Sequence, residues 1–492
     1  MKKSKPSGLD VTRAKAAMKV EDTKLLPKKG EVVAFEVLCR SKSGAGLPEM
    51  IGELSLTTVD RYSPEERIIV DVERALQRLG FRVLGEDEGT SVSADGPYEL
   101  FEKTFRTSLR KRGRTITAAG RSHFFEFFDT VEDAPQPSVK EIVGALDVAI
   151  QRPPIFMQSP LPPPVKYFHL RVPGDVAMLT RASATHRRST AAGARATGAD
   201  VRVAMLDTGF YVHPYYDAHG YRLNPVLAAD ATGLASEDEN GHGTGEVANI
   251  FACAPDARVS GIKMGSNAVL AFDRAVALKA RIISCSWGWH LPGVTALPAP
   301  LVPLRLRILS AVTAGITVVF SGGNGHVSFP GMMPEVLAAG GVYADSSAAL
   351  RASSYASSFQ SLIYPGRRVP DLCGLVGMSP GAHYIMLPIP PKCEIDATLA
   401  GVPFPAKDET GPSDGWGVFS GTSAAAPQLA GICALLIQKV PGLTPDQVKA
   451  ILRSTARDVT AGTSAMGDAA GPGPDLATGA GFVDALSAWL SA

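Results

Sequence analysis

The chain has 492 residues, and its 49 Lys and Arg residues nearly balance its 48 Asp and Glu residues, which leaves a formal net charge of +1. Such a balance argues against a chain-wide electrostatic partner such as nucleic acid or an anionic membrane. Hydrophobic residues make up 45% and charged residues 20%, which is typical of a folded protein with two or three domains. No stretch approaches 18 consecutive apolar residues, which argues against a membrane-spanning helix.

The N-terminal stretch is basic, and no apolar run of signal-peptide length follows it. We therefore expect residues 1–30 to form a flexible basic tail and the protein to be cytoplasmic. The six cysteines form no Cys-x-x-Cys pair, and three of them lie in small or apolar runs that indicate buried side chains. Cys373 and Cys393 flank a proline-rich stretch, so a disulfide or a metal site there stays open.

Residues 31–150 contain predicted elements in the order β-α-β-β-α-β, which indicates a small open-sheet α+β domain. The first helix is predicted to begin at Ser63, because Pro64 suits the first helical position and Glu66 completes a capping box. A second helix is predicted over 97–105. The strands are predicted over 31–39, 81–84, 89–94 and 122–128.

A basic tract at 106–114 has five basic residues in nine. It is compatible with a solvated hairpin, with a nucleic-acid patch or with an exposed cleavage site. A nucleic-acid patch has little support, because no aromatic residues are interleaved with the basic ones. We therefore expect neither a nucleic-acid nor a membrane partner.

The segment 151–169 contains six prolines between residues 151 and 165 and is expected to form an extended linker. After it, apolar β-branched runs alternate with alanine-rich helical stretches over residues 170–492. Strands of this kind are buried on both faces, and their alternation with helices predicts a parallel α/β sheet. Functional residues are then expected at the carboxyl ends of the strands.

Four polar side chains stand at strand-to-helix junctions of this second domain. Asp207 ends the run VRVAMLD, and Asn324 follows TVVFSGG. His242 precedes a helical run, and Ser423 lies in the predicted first turn of a long apolar helix, where the helix dipole stabilises a developing anion. Asp, His and Ser in this chain order form one of the known orders of a catalytic triad.

Two other hydrolase classes share parts of this pattern. The motif Asp207-Thr208-Gly209 alone is compatible with an aspartic protease, but that chemistry needs two carboxylates, and the sequence has no second such motif. A Gly-x-Ser-x-Gly hydrolase is excluded, because Ser423 is followed by two alanines. The serine triad remains the interpretation that accounts for all four motifs together.

The same motifs resemble those of the subtilisin-like serine peptidases, the subtilases. Residues 207–209, 241–244 and 421–427 resemble the Asp, His and Ser blocks of that family. Residues 321–324 resemble the block that carries its oxyanion asparagine. The resemblance covers roughly residues 170–492, and it implies a subtilisin-like parallel sheet flanked by helices.

The resemblance implies a role for each of these residues in a serine endopeptidase. Ser423 is the nucleophile, His242 is its general base, and Asp207 fixes the imidazole tautomer and stabilises the imidazolium. The amide of Asn324 and the backbone N–H of Ser423 form the oxyanion hole. No metal ligand is implied, no cofactor is expected, and structural calcium stays open. The implied substrate-binding residues are Ser286, Trp287, Gly288, Gly322 and Gly323.

Three features depart from the family pattern. Glu246 lies one helical turn after His242, where many members have an apolar residue, and is a candidate modulator of His242 or of a substrate subsite. The acidic residues 237–239 either favour a basic substrate residue or form a solvated loop. The segment 360–418 is long and rich in proline and glycine, and it is either a substrate-facing flap or a surface insertion.

The domain at 31–150 resembles the propeptide of subtilases and sedolisins, especially over residues 91–109, which implies a ferredoxin-like fold. A propeptide of this kind packs on the catalytic domain and blocks its cleft, so we expect the N-terminal domain to be an intramolecular inhibitor. Cleavage between about residues 130 and 195, a region with the proline tract and the basic residues 181–188, would release activity. The alternative is a permanent recognition or docking domain.

The sequence thus predicts a serine endopeptidase that acts on proteins or peptides and is held inactive until it is processed. The alternative from a different class is a non-catalytic peptide-binding scaffold with the subtilase fold. Such a scaffold is expected to have lost Asp207, His242, Asn324 or Ser423, and all four residue types are present.

Overall fold

The structure is a computed structural model that describes residues 19–85, 90–118, 121–155, 170–345, 347–377, 384–402 and 407–492. The predicted tail before residue 19 and most of the predicted linker, residues 156–169, lie outside the described residues. The described residues form an N-terminal domain up to residue 155 and a larger α/β domain from residue 170.

The described part of the N-terminal domain consists of two small sheets and four helices. The strands are Lys19–Leu25 (β1), Val32–Cys39 (β2), Arg82–Leu84 (β3), Ser91–Pro97 (β4), Leu109–Ala118 (β5), Arg121–Thr130 (β6) and Ala145–Ile150 (β7). The helices are Leu47–Glu53 (α1), Val59–Tyr62 (α2), Glu66–Leu79 (α3) and Tyr98–Phe105 (α4).

The first sheet of this domain is antiparallel, with the strand order β3-β4-β2-β7. Phe35 of β2 lies in the core beside this sheet, where its ring meets those of Phe81, Phe101 and Phe105 at centroid distances of 5.0, 5.1 and 5.4 Å. Aromatic contacts of this kind bury a large apolar area and favour edge-on packing. The strand order and the helices α3 and α4 give the ferredoxin-like topology that the sequence predicts.

The last strand of this sheet differs from the prediction. The sequence pattern places it at 122–128, which is wrong, because β7 pairs with β2 instead. The strand that contains 122–128 is β6, which pairs along ten residues with its sequence neighbour β5. Strand β5 also pairs with β1, so these three strands form a separate antiparallel sheet. Local hairpin pairing therefore decides the position of β6, and an alternating apolar pattern does not reveal the pairing partner.

The prediction of a flexible tail over residues 1–30 is wrong for residues 19–25, which form β1. The carboxylate of Asp22 binds the guanidinium groups of Arg112 and Arg114 in β5, with N–O distances of 2.6, 2.8 and 3.0 Å. These ion pairs hold the strand on the sheet. Most of the basic tract 106–114 lies in β5 and so belongs to the β5–β6 hairpin. Part of its charge is paired within the same domain, as the contacts of Asp22 show.

The large domain contains the remaining elements. Its strands are Leu170–Arg171 (β8), Arg202–Asp207 (β9), Arg222–Leu227 (β10), Arg258–Lys263 (β11), Ile282–Cys285 (β12), Trp289–His290 (β13), Thr317–Ser321 (β14), Ser328–Phe329 (β15), Leu337–Ala344 (β16), Leu350–Ala352 (β17), Phe359–Gln360 (β18), Arg368–Val369 (β19), Leu372–Leu375 (β20), Ile385–Pro388 (β21) and Trp416–Phe419 (β22). Its helices are Gly174–Leu179 (α5), Ala182–Thr185 (α6), Pro214–His219 (α7), His242–Cys253 (α8), Ala268–Ala277 (α9), Val302–Thr313 (α10), Glu394–Leu399 (α11), Thr422–Lys439 (α12), Pro445–Ser454 (α13) and Ala485–Ser491 (α14).

An eight-stranded sheet forms the centre of the large domain, in the order β10-β11-β9-β12-β14-β16-β17, with β20 also paired to β16. All its strands except β17 run parallel, which confirms the predicted parallel α/β sheet. In β9, Val203 and Met205 face the layer that contains α8 and α12, whereas Ala204 and Leu206 face the layer that contains α9 and α10. Burial on both faces explains why the strand shows no polar alternation.

The two domains share an apolar layer. Met50 and Tyr62 of the N-terminal domain pack in the same cluster as α9 and α10. The guanidinium of Arg305 in α10 donates to the carbonyl oxygens of Ile51 and Leu54 at 3.2 and 2.5 Å. The N-terminal domain is therefore seated on the helices that cover one face of the main sheet.

Candidate active site

Asp207 stands at the carboxyl end of β9, inside the main sheet. Its side chain is fully buried, and its Oδ1 atom lies 2.7 Å from Nδ1 of His242. The same oxygen accepts the backbone N–H of Thr208 at 2.8 Å. Because Nδ1 faces a carboxylate, the imidazole carries its proton there when neutral, and Nε2 is left as the basic nitrogen.

His242 is the first residue of α8, and glycines around it let this helix approach β9 closely. Gly241 has a φ of +95°, a left-handed conformation that suits glycine. A methyl group on Gly243 would lie 2.3 Å from the carbonyl oxygen of Gly209 and 2.9 Å from Cβ of Asp207. Glycine at position 243 therefore allows the imidazole and the carboxylate to reach hydrogen-bond distance.

The loop before α8 is held by a second buried carboxylate, that of Asp238. It accepts the backbone N–H of Gly241 at 2.9 Å, and the N–H and hydroxyl of Thr244 at 2.8 and 2.7 Å. It also accepts the hydroxyl of Thr208 at 2.8 Å, and so joins the end of β9 to the first turn of α8. These four donors occupy Asp238 within the protein, so this member of the acidic stretch 237–239 is structural.

Opposing effects set the pKa of His242. Burial lowers this pKa, but the charge of Asp207 and its hydrogen bond raise it by more, to about 9. The charges of Glu246 and Asp238 add smaller effects that also raise the pKa. The imidazolium form is therefore well stabilised, which is what a general base needs when it takes a proton.

Ser423 lies in the first turn of α12. Its hydroxyl donates to the carbonyl oxygen of Ser286 at 3.3 Å, and the Ser286 hydroxyl donates to the carbonyl oxygen of Ser423 at 2.9 Å. Helix α12 packs tightly on α8, because a methyl group on Gly431 would lie 2.7 Å from the carbonyl oxygen of Ile250. The helix that begins at His242 and the helix that carries Ser423 are thus direct neighbours.

Asn324 follows β14, and its side chain is fixed by the first residue of α12. Its Oδ1 atom accepts both the backbone N–H and the hydroxyl of Thr422 at 2.9 Å. Its backbone N–H donates to Nδ1 of His326 at 3.1 Å. Because Oδ1 is engaged by Thr422, the orientation of the amide is defined and Nδ2 is its donor end.

The comparison with known protein families agrees with this arrangement: the model of the subtilase family matches residues 198–481. The chain belongs to the subtilase family. Among its relatives, serine protease AprX of Bacillus subtilis (strain 168) is 30% identical over 312 residues, which cover 56% of this chain and 65% of that protein. M-protease of Shouchella clausii (strain KSM-K16) is 26% identical over 293 residues, which cover 56% of this chain and 62% of that protein.

The chain therefore spans less than two thirds of the length of these two relatives. Among solved structures, fervidolysin from Fervidobacterium pennivorans, a keratinolytic enzyme related to subtilisin, aligns with 95% of this chain and 62% of its own, with a TM-score of 0.54 and 16% sequence identity. At this level of identity the likeness establishes a shared fold, the subtilisin-like sheet predicted from the sequence.

The expected substrate-binding residues of this subtilase lie in two backbone segments beside Ser423. Ser286 and Gly288 follow β12, and the carbonyl oxygen of Gly288 accepts the backbone N–H of Ile155 at 3.2 Å. Gly322 and Gly323 directly follow β14. A methyl group on Gly322 would lie 2.8 Å from the carbonyl oxygen of Ala339 in β16.

Trp287 differs from its expected role. The residue is only 2% exposed, and its indole packs edge-to-face against the ring of Phe320 at a centroid distance of 5.2 Å. Its Nε1–H group donates to the carbonyl oxygen of Leu206 at 2.8 Å. The side chain belongs to the core because a large ring at this point fills the layer between the sheet and α9. Only the backbone of Trp287 is thus left to contact a peptide.

Two of the three departures from the family pattern, Glu246 and the acidic stretch 237–239, have defined places. Glu246 is fully buried on α8, and its Oε2 atom accepts Nδ2 of Asn249 at 3.0 Å. Within the acidic stretch, Glu239 forms an ion pair with Lys263 at 2.8 Å. Part of the acidic charge before α8 is therefore neutralised within the protein.

The segment 360–418 is built into the domain where it is described; its residues 378–383 and 403–406 lie outside the described residues. Its strand β20 joins the main sheet, and β21 pairs with β22 and β8. The N–H groups of Glu394 and Ile395 donate to the carbonyl oxygens of Glu239 and Asn240 at 2.8 and 3.1 Å. The segment thus braces the loop that leads into His242.

Three further observations concern cofactors, cysteines and membranes. All six cysteines are buried and free, so Cys373 and Cys393 form no disulfide. In the part of the chain that the structure describes, no group of three His, Cys, Asp or Glu residues is placed to hold a metal ion. Among the described helices, none has the length and apolar character needed to cross a bilayer.

Sequence reasoning missed the roles of three residues at or near the site. Thr422 orients Asn324, and Ile155 contacts the segment after β12. Asp238 is expected from the sequence to belong to a substrate-selecting or solvated stretch, but it ties the loop of His242 instead. Thr422 is the most accessible to sequence reasoning, because it directly precedes Ser423. Nothing in the sequence around Ile155 signals that its backbone pairs with a residue more than one hundred positions away.

Proposed function

We propose that this chain is a serine endopeptidase that hydrolyses peptide bonds with Asp207, His242 and Ser423 as its catalytic triad. The observation that carries the proposal is the 2.7 Å contact between Oδ1 of Asp207 and Nδ1 of a buried His242, at the start of a helix packed against the helix of Ser423. Its membership of the subtilase family supports the same chemistry.

The reaction begins with the hydroxyl of Ser423, which is a weak nucleophile until a base takes its proton. In the resting structure this hydroxyl donates to Ser286. We propose that it turns to Nε2 of His242 when a substrate occupies the site, a rearrangement common between free and substrate-bound enzymes. His242 then accepts the proton and later returns it to the leaving amine, while Asp207 stabilises the imidazolium.

The attack places negative charge on the carbonyl oxygen of the substrate. We assign Nδ2 of Asn324 and the backbone N–H of Ser423 as the donors that bind this oxyanion. Support comes from the two hydrogen bonds between Thr422 and Oδ1 of Asn324, which orient the amide before any substrate binds. Donors that need no reorganisation during the reaction are the most effective at stabilising a developing charge.

Hydrolysis of a peptide library by the purified protein, compared with a Ser423→Ala variant, tests this function. The wild-type chain is expected to cleave peptides, at the residual rate that the inhibition proposed below allows, and the variant to lose this activity, because it lacks the nucleophilic hydroxyl. A Ser487→Ala variant is the matched control, since Ser487 lies in α14. Equal cleavage by wild type and Ser423→Ala would overturn the proposal.

We also propose that the N-terminal domain inhibits this activity within the same molecule. The backbone N–H of Ile155 donates to the carbonyl oxygen of Gly288 at 3.2 Å, as a single antiparallel bridge. Gly288 lies two residues after Ser286, whose carbonyl oxygen accepts the Ser423 hydroxyl. The chain that leaves the N-terminal domain therefore occupies main-chain groups next to the nucleophile, where an extended substrate would pair.

A second contact supports this inhibition, because it fixes the N-terminal domain on the large one. Glu36 of β2 is fully buried, and its Oε1 atom accepts Nδ2 of Asn267, the N-cap residue of α9, at 2.6 Å. Removal of the N-terminal domain after cleavage would expose this polar pair together with the shared apolar layer.

Substitution of Ile155 tests the inhibition. Ile155→Pro removes the N–H that binds Gly288, so the uncleaved chain is expected to hydrolyse peptides faster than wild type. Ile155→Val keeps the N–H and is the matched control. An uncleaved wild-type chain that already works at the rate of a chain freed from residues 1–155 would contradict the inhibitory role.

A further inference from the structure

Glu246 is a buried carboxyl group that the proposed mechanism does not use. It follows His242 by four residues on α8, so the two residues are neighbours on one face of the helix. None of its surface is exposed to solvent. An ionisable group so close to the general base affects the base through its charge unless another group compensates it.

A chain of amides holds one oxygen of Glu246 in place. Oε2 accepts Nδ2 of Asn249 at 3.0 Å, and Oδ1 of Asn249 accepts Nε2 of Gln428 at 3.2 Å. The Gln428 amide is itself fixed by the backbone of Leu375, whose N–H and carbonyl oxygen it meets at 2.8 and 3.0 Å. The carboxyl is thus tied to β20 and to α12, the helix that carries Ser423.

The other oxygen of Glu246, Oε1, is buried and has no hydrogen-bond partner within the described residues. A carboxylate with so few donors is poorly solvated. Burial raises the pKa of Glu246 to about 8, although the charge of His242 acts in the opposite direction. The carboxyl and the imidazole therefore change charge in overlapping pH ranges.

Other ionisable groups also lie around this pair. Asp207 at the end of β9 and Asp238 in the loop before α8 are the acidic neighbours, and four donors hold Asp238. Tyr216 of α7 donates its hydroxyl to the carbonyl oxygen of Thr244, and burial raises its pKa well above the usual value.

Of the other elements packed on α8, α5 carries Asp175 and β11 carries Arg258 and Lys263, whereas α12 and β21 add little charge. Helix α12 has Lys439 at its last position as its one charged residue, and β21 has none. The thiols of Cys253 on α8 and of Cys373 and Cys433 on β20 and α12 are buried, which raises their pKa values.

We propose that Glu246 is a positioning residue of the catalytic centre, which shares a proton with His242 and so sets the pH range in which the imidazole is a free base. The inference rests on the proposed function, in which His242 is the general base. With one proton in the pair, the proton resides either on the imidazole or on the carboxyl. When the pH rises further, this proton leaves to solvent, and a neutral imidazole faces a charged carboxylate.

Two coupled groups lose their protons in two steps that belong to the pair. The test is a titration of His242 in the full chain, followed by NMR of histidine labelled with ¹³C at Cε1, between roughly pH 5 and 10. The His242 signal is assigned by its loss in a His242→Ala variant. Wild type is expected to titrate in two steps. Glu246→Gln, which keeps an acceptor for Asn249, is expected to titrate in one step with a midpoint about 1 pH unit lower.

Glu335→Gln is the matched control, because burial raises the pKa of this carboxyl as well, and the charges that act on it are those of Arg305, Lys449 and Arg367. It is expected to leave the two-step curve unchanged. A one-step curve in wild type, or identical curves in wild type and Glu246→Gln, would overturn the inference; the wild-type curve decides this even if the variant does not fold. The signal requires no turnover, so a two-step curve in a protein that cleaves no peptide would contradict the proposed function and not this inference.

Discussion

At the scale of single residues, the site is a set of polar groups whose partners are fixed before any substrate arrives. His242 has Asp207 at 2.7 Å on one side, and Asn324 has both donors of Thr422 on its carbonyl oxygen. Neither side chain needs to find its orientation during the reaction. In the proposed mechanism, this preorganisation would let a few hydrogen bonds lower the barrier to peptide hydrolysis by a large factor.

Substitution of Asn324 by alanine is expected to reduce kcat by about 10²- to 10³-fold, a cost known for the loss of one such donor in subtilisin itself. KM is expected to change little, because the oxyanion exists only in the transition state. Steady-state peptide hydrolysis measures both constants. The control is Asn224→Ala, which removes an exposed asparagine of β10. A loss that appeared only in KM would contradict the role of Asn324.

At the scale of elements, the start of α8 is the part of the fold that brings His242 and Asp207 together. The helix begins immediately after Gly241 and passes so close to the end of β9 that Gly243 has no room for a side chain. Helix α12 approaches α8 just as closely at Gly431. The spacing of these helices therefore depends on small residues at fixed positions.

Gly243→Ala is expected to push α8 away from β9 and to lower both stability and activity. The added methyl group would meet the carbonyl oxygen of Gly209 at 2.3 Å, and overpacking of this kind costs about 1–3 kcal/mol. Chemical denaturation and kcat/KM measure the two effects. Gly174→Ala adds the same methyl group at a place with no atom within 4 Å and is expected to be neutral. A Gly243→Ala variant with wild-type stability would contradict the tight fit.

The elements also show what the sequence reveals and what it does not. The parallel sheet follows from the apolar runs, since burial on both faces removes polar residues from strands such as β9. The separate sheet of β1, β5 and β6 does not follow from them, because a strand pattern leaves its partner undefined. The contact of Ile155 with Gly288 is beyond sequence reasoning for the same reason, and the burial of Trp287 depends on which side of the chain faces the core.

At the scale of the whole molecule, the two domains are joined by apolar packing and by a buried polar contact. Glu36 of the N-terminal domain accepts hydrogen bonds from Ser91 at 2.7 Å, from Ser93, and from Asn267 of the large domain. Burial raises the pKa of Glu36 to about 7, and the charge of Asp273 acts in the same direction, whereas the three donors lower it. We therefore expect the contact between the domains to depend on pH.

The sign of this dependence follows from the raised pKa. Below about pH 4.5, Glu36 is protonated in both the folded and the unfolded chain, and its contribution to the stability of the folded chain is fully present. This contribution is lost as the pH rises through about 7, because the unfolded chain then gains more from ionisation of the carboxyl. We expect the free energy of unfolding of the wild-type chain to fall by up to roughly 3 kcal/mol for this reason between acidic and neutral pH. Glu36→Gln is expected to remove this part of the pH dependence, as measured by denaturant unfolding at several pH values.

Glu65→Gln serves as the control for this experiment, because Glu65 is an exposed carboxyl of the same domain. It is expected to follow the wild-type curve. If Glu36→Gln retained the full wild-type dependence on pH, the buried carboxyl would not be the source of the effect.

The central claim is that Ser423 is a nucleophile activated by His242, and covalent labelling tests it most directly. A fluorophosphonate reacts with an activated serine hydroxyl, and mass spectrometry of the digested protein locates the adduct. We expect one adduct, on Ser423, which is absent from a His242→Ala variant. An adduct on another residue, or equal labelling of Ser423 without the imidazole, would show that His242 does not activate Ser423.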